Sequence, residues 1–190
     1  MPEILSNMKA KIAITGLPKT NKTLLAAALS NMTDIPFIGN KTMYEWYRLF
    51  GFSDSKPLEW KDMFLVAVAS FCERAKNEML FDCFISDGAS FSELMWLKTN
   101  FDLEKNQNDM VESLEILCAS YAARRYDFII HTGNDDLYVQ FYQRYQIPYK
   151  MYNSVFPEQS LKKISKDIHV PLKNSVESSI YQAKSTLFIK

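Results

Sequence analysis

At 190 residues and 47% hydrophobic, the chain can bury one sizeable core, and a single compact domain spanning 1–190 is expected. Lys plus Arg total 22 and Asp plus Glu total 22, which excludes the large net field that would point to nucleic acid or an anionic membrane as partner. A polyanionic ligand would have to be held by a local site.

Three cysteines, Cys72, Cys83 and Cys118, have no CxxC or Cys/His spacing, which argues against a disulfide framework and against zinc and leaves reduced thiols in apolar surroundings. The N-terminal "MPEILSNMKAK" lacks a basic region followed by an apolar run, and no uninterrupted apolar window reaches the roughly 18 residues that span a bilayer. A cytoplasmic protein is the expectation.

In chain order, "KIAITG" (11–16) is short, β-branched and closed by glycine, the pattern of a buried strand; "KTLLAAALSNM" (22–32) combines helix formers with an apolar face. "IPFIG" (35–39) reads as a short strand, "KTMYEWYRLFGF" (41–52) as an aromatic amphipathic helix, and 59–80 as a long helix. "DCFISDG" (82–88) is a second apolar run stopped by an acid and a glycine. "ASFSELMWLK" and "QNDMVESLEILCASYAARRY" are helical by period, "DFIIHTG" (127–133) is another buried strand, and "IPYKMYN" (147–153) a further one. Helices near 157–168 and 174–187 follow. Buried strands alternating with crossover-length helices imply a three-layer α/β/α fold with a mainly parallel sheet. Ligands of such sheets sit at the carboxyl ends of the strands, here around Gly16, Asp87 and 131–134.

The stretch "GLPKTNKT" meets the G-x-x-x-x-G-K-S/T spacing of a phosphate-binding loop with Gly16, Lys22 and Thr23. In such a loop consecutive backbone N–H groups curl around phosphates at a helix N-terminus, the lysine bridges phosphate oxygens and the hydroxyl reaches magnesium. Gly16, Leu17, Pro18, Lys19, Thr20, Asn21, Lys22, Thr23 and Leu24 are therefore candidate nucleotide-binding residues. Asn21 stands where the second glycine is expected. Asparagine enters left-handed conformations readily, so it can preserve the loop's path, although its side chain can crowd a phosphate. A second "NKT" at 40–42 has Ile35 in place of the first glycine and leads into a tyrosine- and tryptophan-rich segment, so the first copy fits better.

Asp87, at the tip of an expected strand, can take the proton of a substrate hydroxyl or hold a water on magnesium; it can equally be a turn or helix-capping aspartate. Tyr44, Trp46, Tyr47, Phe50 and Phe52 can stack a planar base or simply fill the core. His131 and His169 have no recognisable metal partner. "NDD" (134–136) lacks the lysine of a GTPase base-specificity motif, and a GTPase is rejected.

On "ITGLPKTNKT", "FISDG", "RRYDFIIHTG" and "IPYKMYNSVFPEQSLKKI", the chain resembles the P-loop nucleoside and nucleotide kinases. More narrowly, it resembles the AAA-type ATPase/kinase group related to the ribosylnicotinamide kinase domain of NAD-biosynthesis regulators. The resemblance implies ATP and Mg2+ as ligands, Lys22 and Thr23 as the residues that hold them, and Asp87 as base. It differs in two places. Gly88 stands where that family often has an arginine, and the arginine-rich lid is reduced to "QFYQRYQ", with Arg144 its one obvious candidate; Arg124 and Arg125 precede the strand and read as helix-capping residues. Three functions follow from this: a small-molecule kinase acting on a nucleoside-like or other hydroxyl acceptor, a nucleotide-binding ATPase or regulator without a small acceptor, or a degenerate scaffold in which Asn21 marks the loss of nucleotide binding.

Overall fold

The structure, a computed structural model, describes residues 10–16, 20–52, 59–152, 157–167 and 173–188. Five strands, β1 (Lys11–Gly16), β2 (Phe37–Ile38), β3 (Phe84–Asp87), β4 (Phe128–Thr132) and β5 (Tyr149–Tyr152), form one sheet in the order β2-β3-β1-β4-β5. Every pairing is parallel.

Helices cover both faces, and β1 shows how the sequence divides them. Its side chains alternate between the faces, as a strand's must. Ile12 and Ile14 enter a core with α1 (Lys22–Thr33), α7 (Pro157–Asp167) and α8 (Val176–Phe188). Ala13 enters the opposite core, formed by α2 (Met43–Phe50), α3 (Trp60–Met79), α4 (Ser92–Asn100), α5 (Lys105–Arg125) and α6 (Asp136–Arg144). A strand buried on both sides has no polar face, which is why the strand runs read as continuous apolar segments. The expected three-layer α/β/α fold is the one observed.

The connections agree with the expected elements, with one exception. No helix is expected over 136–144, and "QFYQRYQ", the lid candidate, forms the body and end of α6, where Phe141 and Tyr142 are buried in the core. Arg125 does cap a helix, though not its own: its Nη2 donates to the carbonyls of Glu78 and, at 2.8 Å, Phe81, at the end of α3. All three cysteines are free thiols; Cys118 is buried as expected, whereas Cys72 faces solvent. Among the described residues no helix is long and apolar enough to cross a membrane.

Candidate active site

The site begins where β1 ends. Gly16 has φ 135°, and a Cβ there would lie 2.0 Å from the carbonyl oxygen of Thr132, so only glycine lets the chain turn off the sheet this close to β4. Thr132 also fixes the other limb of the loop. Its hydroxyl donates to Thr15 O at 3.0 Å and lies 2.7 Å from the hydroxyl of Thr20. Leu17, Pro18 and Lys19 lie outside the described residues.

Asn21 occupies the left-handed region (φ 57°, ψ 28°) at the N-cap of α1, and its side chain makes no capping hydrogen bond. Its backbone thus takes the shape that glycine would supply. The first turn of α1 carries no acidic residue to compete with an anion at the helix's positive end. Lys22 opens the helix; burial pushes its ammonium below the usual lysine range, opposed by the charge of Asp87. Leu24 turns to the core behind α1, which leaves only its backbone to a ligand.

Thr23 makes the decisive contact: its hydroxyl donates to Asp87 Oδ2 at 2.6 Å. The sheet register explains it. Asp87 lies level with Ile14 on β1, so β3 stops short of the loop and its last carboxylate faces the first turn of α1 as the chain returns. Burial raises the Asp87 pKa above the ordinary carboxylate value. The Thr23 hydrogen bond and the charges of Arg74 and Lys22 oppose that rise, and Glu93 adds to it.

These groups open onto a cavity of about 670 Å³. One wall is the face of α4 that carries Ser92, Trp96 and Thr99, at the four- and three-residue spacing that aligns side chains on a helix. Asn40 and Lys41 form a second wall, and Asp135 and Tyr138 a third. Glu93, nearly buried, accepts a hydrogen bond from Asn40 Nδ2 at 2.9 Å. Below the loop, His131 Nδ1 lies 2.9 Å from the Tyr142 hydroxyl and 3.2 Å from that of Thr15; burial holds the ring neutral, with its pKa lowered to about 4. His131 thus supports β1, and His169 lies outside the described residues.

The structure brings Gly16, Lys22, Thr23 and Asp87 together but leaves Arg144 out. Arg144 sits on the last turn of α6 and pairs with Glu112 and Glu115 of α5 at 3.2 and 3.3 Å. Asp135, at the other end of α6, lines the cavity, and a helical rise of 1.5 Å per residue places Arg144 roughly 13 Å farther along.

Of the two roles open to the aromatic segment 44–52, filling the core is the one observed. Trp46 stacks on Phe50 at 5.9 Å, and Trp46, Tyr47, Phe50 and Phe52 all join the core rather than the cavity; the Tyr44 side chain lies outside the described residues. Among the described residues the cavity's rings are Trp96 and Tyr138. Thr42 of the second "NKT" forms a capping box with Glu45 at the start of α2, which accounts for that copy of the motif. Glu93, Trp96 and Tyr138 had no distinguishing mark in the sequence, because helical period alone does not tell a cavity wall from a core face.

No protein-family model and no curated protein matches the chain in sequence. Solved structures match it in fold. The deoxyadenosine kinase from M. mycoides with bound dATP aligns at a TM-score of 0.63 and 13% identity, over 83% of this chain and 98% of that one. The same kinase with the products dCMP and a flexible dCDP gives 0.62 and 15%, with the same coverage. The NadR protein in complex with NAD and AMP-PNP gives 0.60 and 15%, over 88% of this chain and 51% of that one. The five-stranded parallel sheet with helices on both sides is the P-loop kinase fold of these neighbours.

Proposed function

We propose that the cleft binds ATP with magnesium and transfers the γ-phosphoryl group to a hydroxyl of a nucleoside-like acceptor. The observation that carries this reading is the 2.6 Å contact between Thr23 and Asp87, at the mouth of a cavity large enough for a small acceptor. The fold neighbours that bind dATP, or NAD and AMP-PNP, support a nucleotide as ligand.

The donor set suits magnesium. A hydroxyl and a carboxylate are hard oxygen donors, and magnesium is usually held by one or two such groups together with substrate phosphates and waters. A protein-only cage is not needed, and among the described residues no group of three His, Cys, Asp or Glu is placed to hold a metal ion. Bound there, magnesium would offset the charge on the phosphate oxygens.

The chain's own residues supply the rest. The N-terminus of α1 and Lys22 hold the phosphates, and Lys22 meets the charge that develops on the leaving oxygen. Asp87 takes the acceptor's hydroxyl proton as that oxygen bonds to the γ-phosphorus and the bond to the β,γ-bridging oxygen breaks, releasing ADP. Trp96 and Tyr138 line the space where a planar base would lie, and Glu93 and Asn40 offer polar groups to its edge or to a sugar. Incubation of the protein with γ-labelled ATP and a panel of ribo- and deoxyribonucleosides tests the reading: label should appear on one acceptor class, and no transfer to any would contradict it.

A second reading, a nucleotide-binding regulator without a small acceptor, is favoured by Arg144, whose pairing with Glu112 and Glu115 holds the lid candidate away from the cleft. It predicts ATP binding with no labelled acceptor.

A further inference from the structure

One charge beside the cleft has no part in the mechanism above. Arg74, on α3, is 3% exposed, and its Nη1 lies 2.7 Å from Ser86 Oγ, 3.0 Å from Asp87 O and 3.1 Å from Gly88 O. Its Nε and Nη2 are buried with no hydrogen-bond partner among the described residues. Carboxylates surround it on three elements: Glu78 on α3, Asp87 at the end of β3 and Glu93 on α4.

Gly88 is shaped to this guanidinium. A Cβ at position 88, where φ is 93°, would come within 2.8 Å of Arg74 Nη2. The arginine therefore fills the space that a side chain after Asp87 would take. A brace under a strand end needs no charge, and burying an ion costs several kcal/mol unless it is compensated, so an apolar residue of similar length would pack there at lower cost. A guanidinium is suited instead to gripping several oxygens in a fixed geometry.

We infer that Arg74 is a positioning residue for phosphoryl transfer: it grips the backbone at Asp87 and Gly88 so that the Asp87 carboxylate faces Thr23, and it balances the paired negative charge of Asp87 and Glu93. The inference rests on the phosphoryl-transfer reading of the cleft. It assigns the second-rank support of the base to a helix far from the phosphate loop in sequence.

The test compares wild type, Arg74→Ala and Arg74→Lys by ATP calorimetry with and without magnesium, and by steady-state ADP release from ATP in the presence of the nucleoside panel. In Arg74→Ala the metal-free ATP affinity and the KM for ATP should stay within about threefold, while kcat falls about a hundredfold, the cost of a displacement near 1 Å. Magnesium's effect on affinity should shrink as well. Millimolar guanidinium should restore at least about tenfold of the lost kcat where urea, similar in shape but uncharged, restores none. Wild-type kcat and magnesium dependence in Arg74→Ala overturn the inference and leave the phosphoryl-transfer reading standing; absence of ATP binding by the wild type overturns both. If Arg74→Ala does not fold, Arg74→Lys decides: it keeps the charge without the fork, and turnover within twofold of wild type overturns the inference.

Discussion

Thr23, in the first turn of the helix that follows β1, meets Asp87, at the end of the neighbouring parallel strand β3, hydroxyl to carboxylate at 2.6 Å. Neither residue has this role alone: a threonine in the first turn of a helix and an aspartate at a strand end are ordinary. The register that sets Asp87 beside Ile14 makes them a pair.

Separating the two roles gives the first prediction. Thr23→Ala should reduce the gain in ATP affinity on adding magnesium more than it reduces affinity without metal, because one of the two metal donors is removed while Lys22 and the helix N-terminus stay. Asp87→Asn should bind ATP but lose roughly a hundredfold or more in transfer rate, the usual worth of a general base. Calorimetry and initial rates on both variants check this; equal losses in both quantities for both variants would show that the pair is only structural.

Asn21 gives the second. A non-glycine residue in the left-handed region costs roughly 1–2 kcal/mol, less for asparagine, and here the side chain makes no capping bond that a change would lose. Asn21→Gly should therefore hold or raise both the unfolding midpoint and ATP affinity. Asn21→Val should lower stability by about 1–2 kcal/mol. Denaturant melts of the three proteins decide it.

Much of this site was legible in sequence because it is local. Gly16, Lys22 and Thr23 are read from spacing in one strand-loop-helix unit, and "FISDG" marks Asp87 by the abrupt end of an apolar run. The cavity walls were not legible. Trp96 on α4 and Trp46 on α2 carry the same signal, an aromatic residue at helical spacing, yet Trp96 packs on the core and also lines the cavity, whereas Trp46 is buried in the core. Only long-range packing separates them. Arg144 misled for the same reason: its order after β4 suggests a lid, but the acids of α5 that hold it are distant in sequence. Arg74 gave no sign at all, since a charge in an amphipathic helix ordinarily faces water.

His131 sets the third prediction, on pH. Its folded pKa of about 4 lies below the ordinary 6.5, so between those values the unfolded chain binds a proton that the native one does not. Its contribution is complete above pH 6.5 and is lost as pH falls toward 4, by about 3 kcal/mol in all. Glu78 and Asp87, raised by burial, act in the opposite sense, so the difference from a variant isolates the histidine. His131→Gln should show a flatter fall in urea midpoint between pH 7 and 4.5 than wild type; parallel profiles would refute the assignment.

Phe91 ties two cavity walls together. Its ring lies 4.5 Å from that of Phe141 and 5.8 Å from that of Tyr142, joining the start of α4 to α6. Phe91→Ala should cost about 3–5 kcal/mol by cavity formation, read as a lower urea midpoint with an unchanged slope.

Lys22 supports the central claim that this loop holds a nucleotide's phosphates. Isothermal calorimetry of ATP with magnesium, on wild type and on Lys22→Ala, tests it most directly. Measurable binding by the wild type, weakened at least about tenfold in Lys22→Ala by loss of a charge-assisted contact, is the expected result. No binding by the wild type, or equal binding by both proteins, would contradict it.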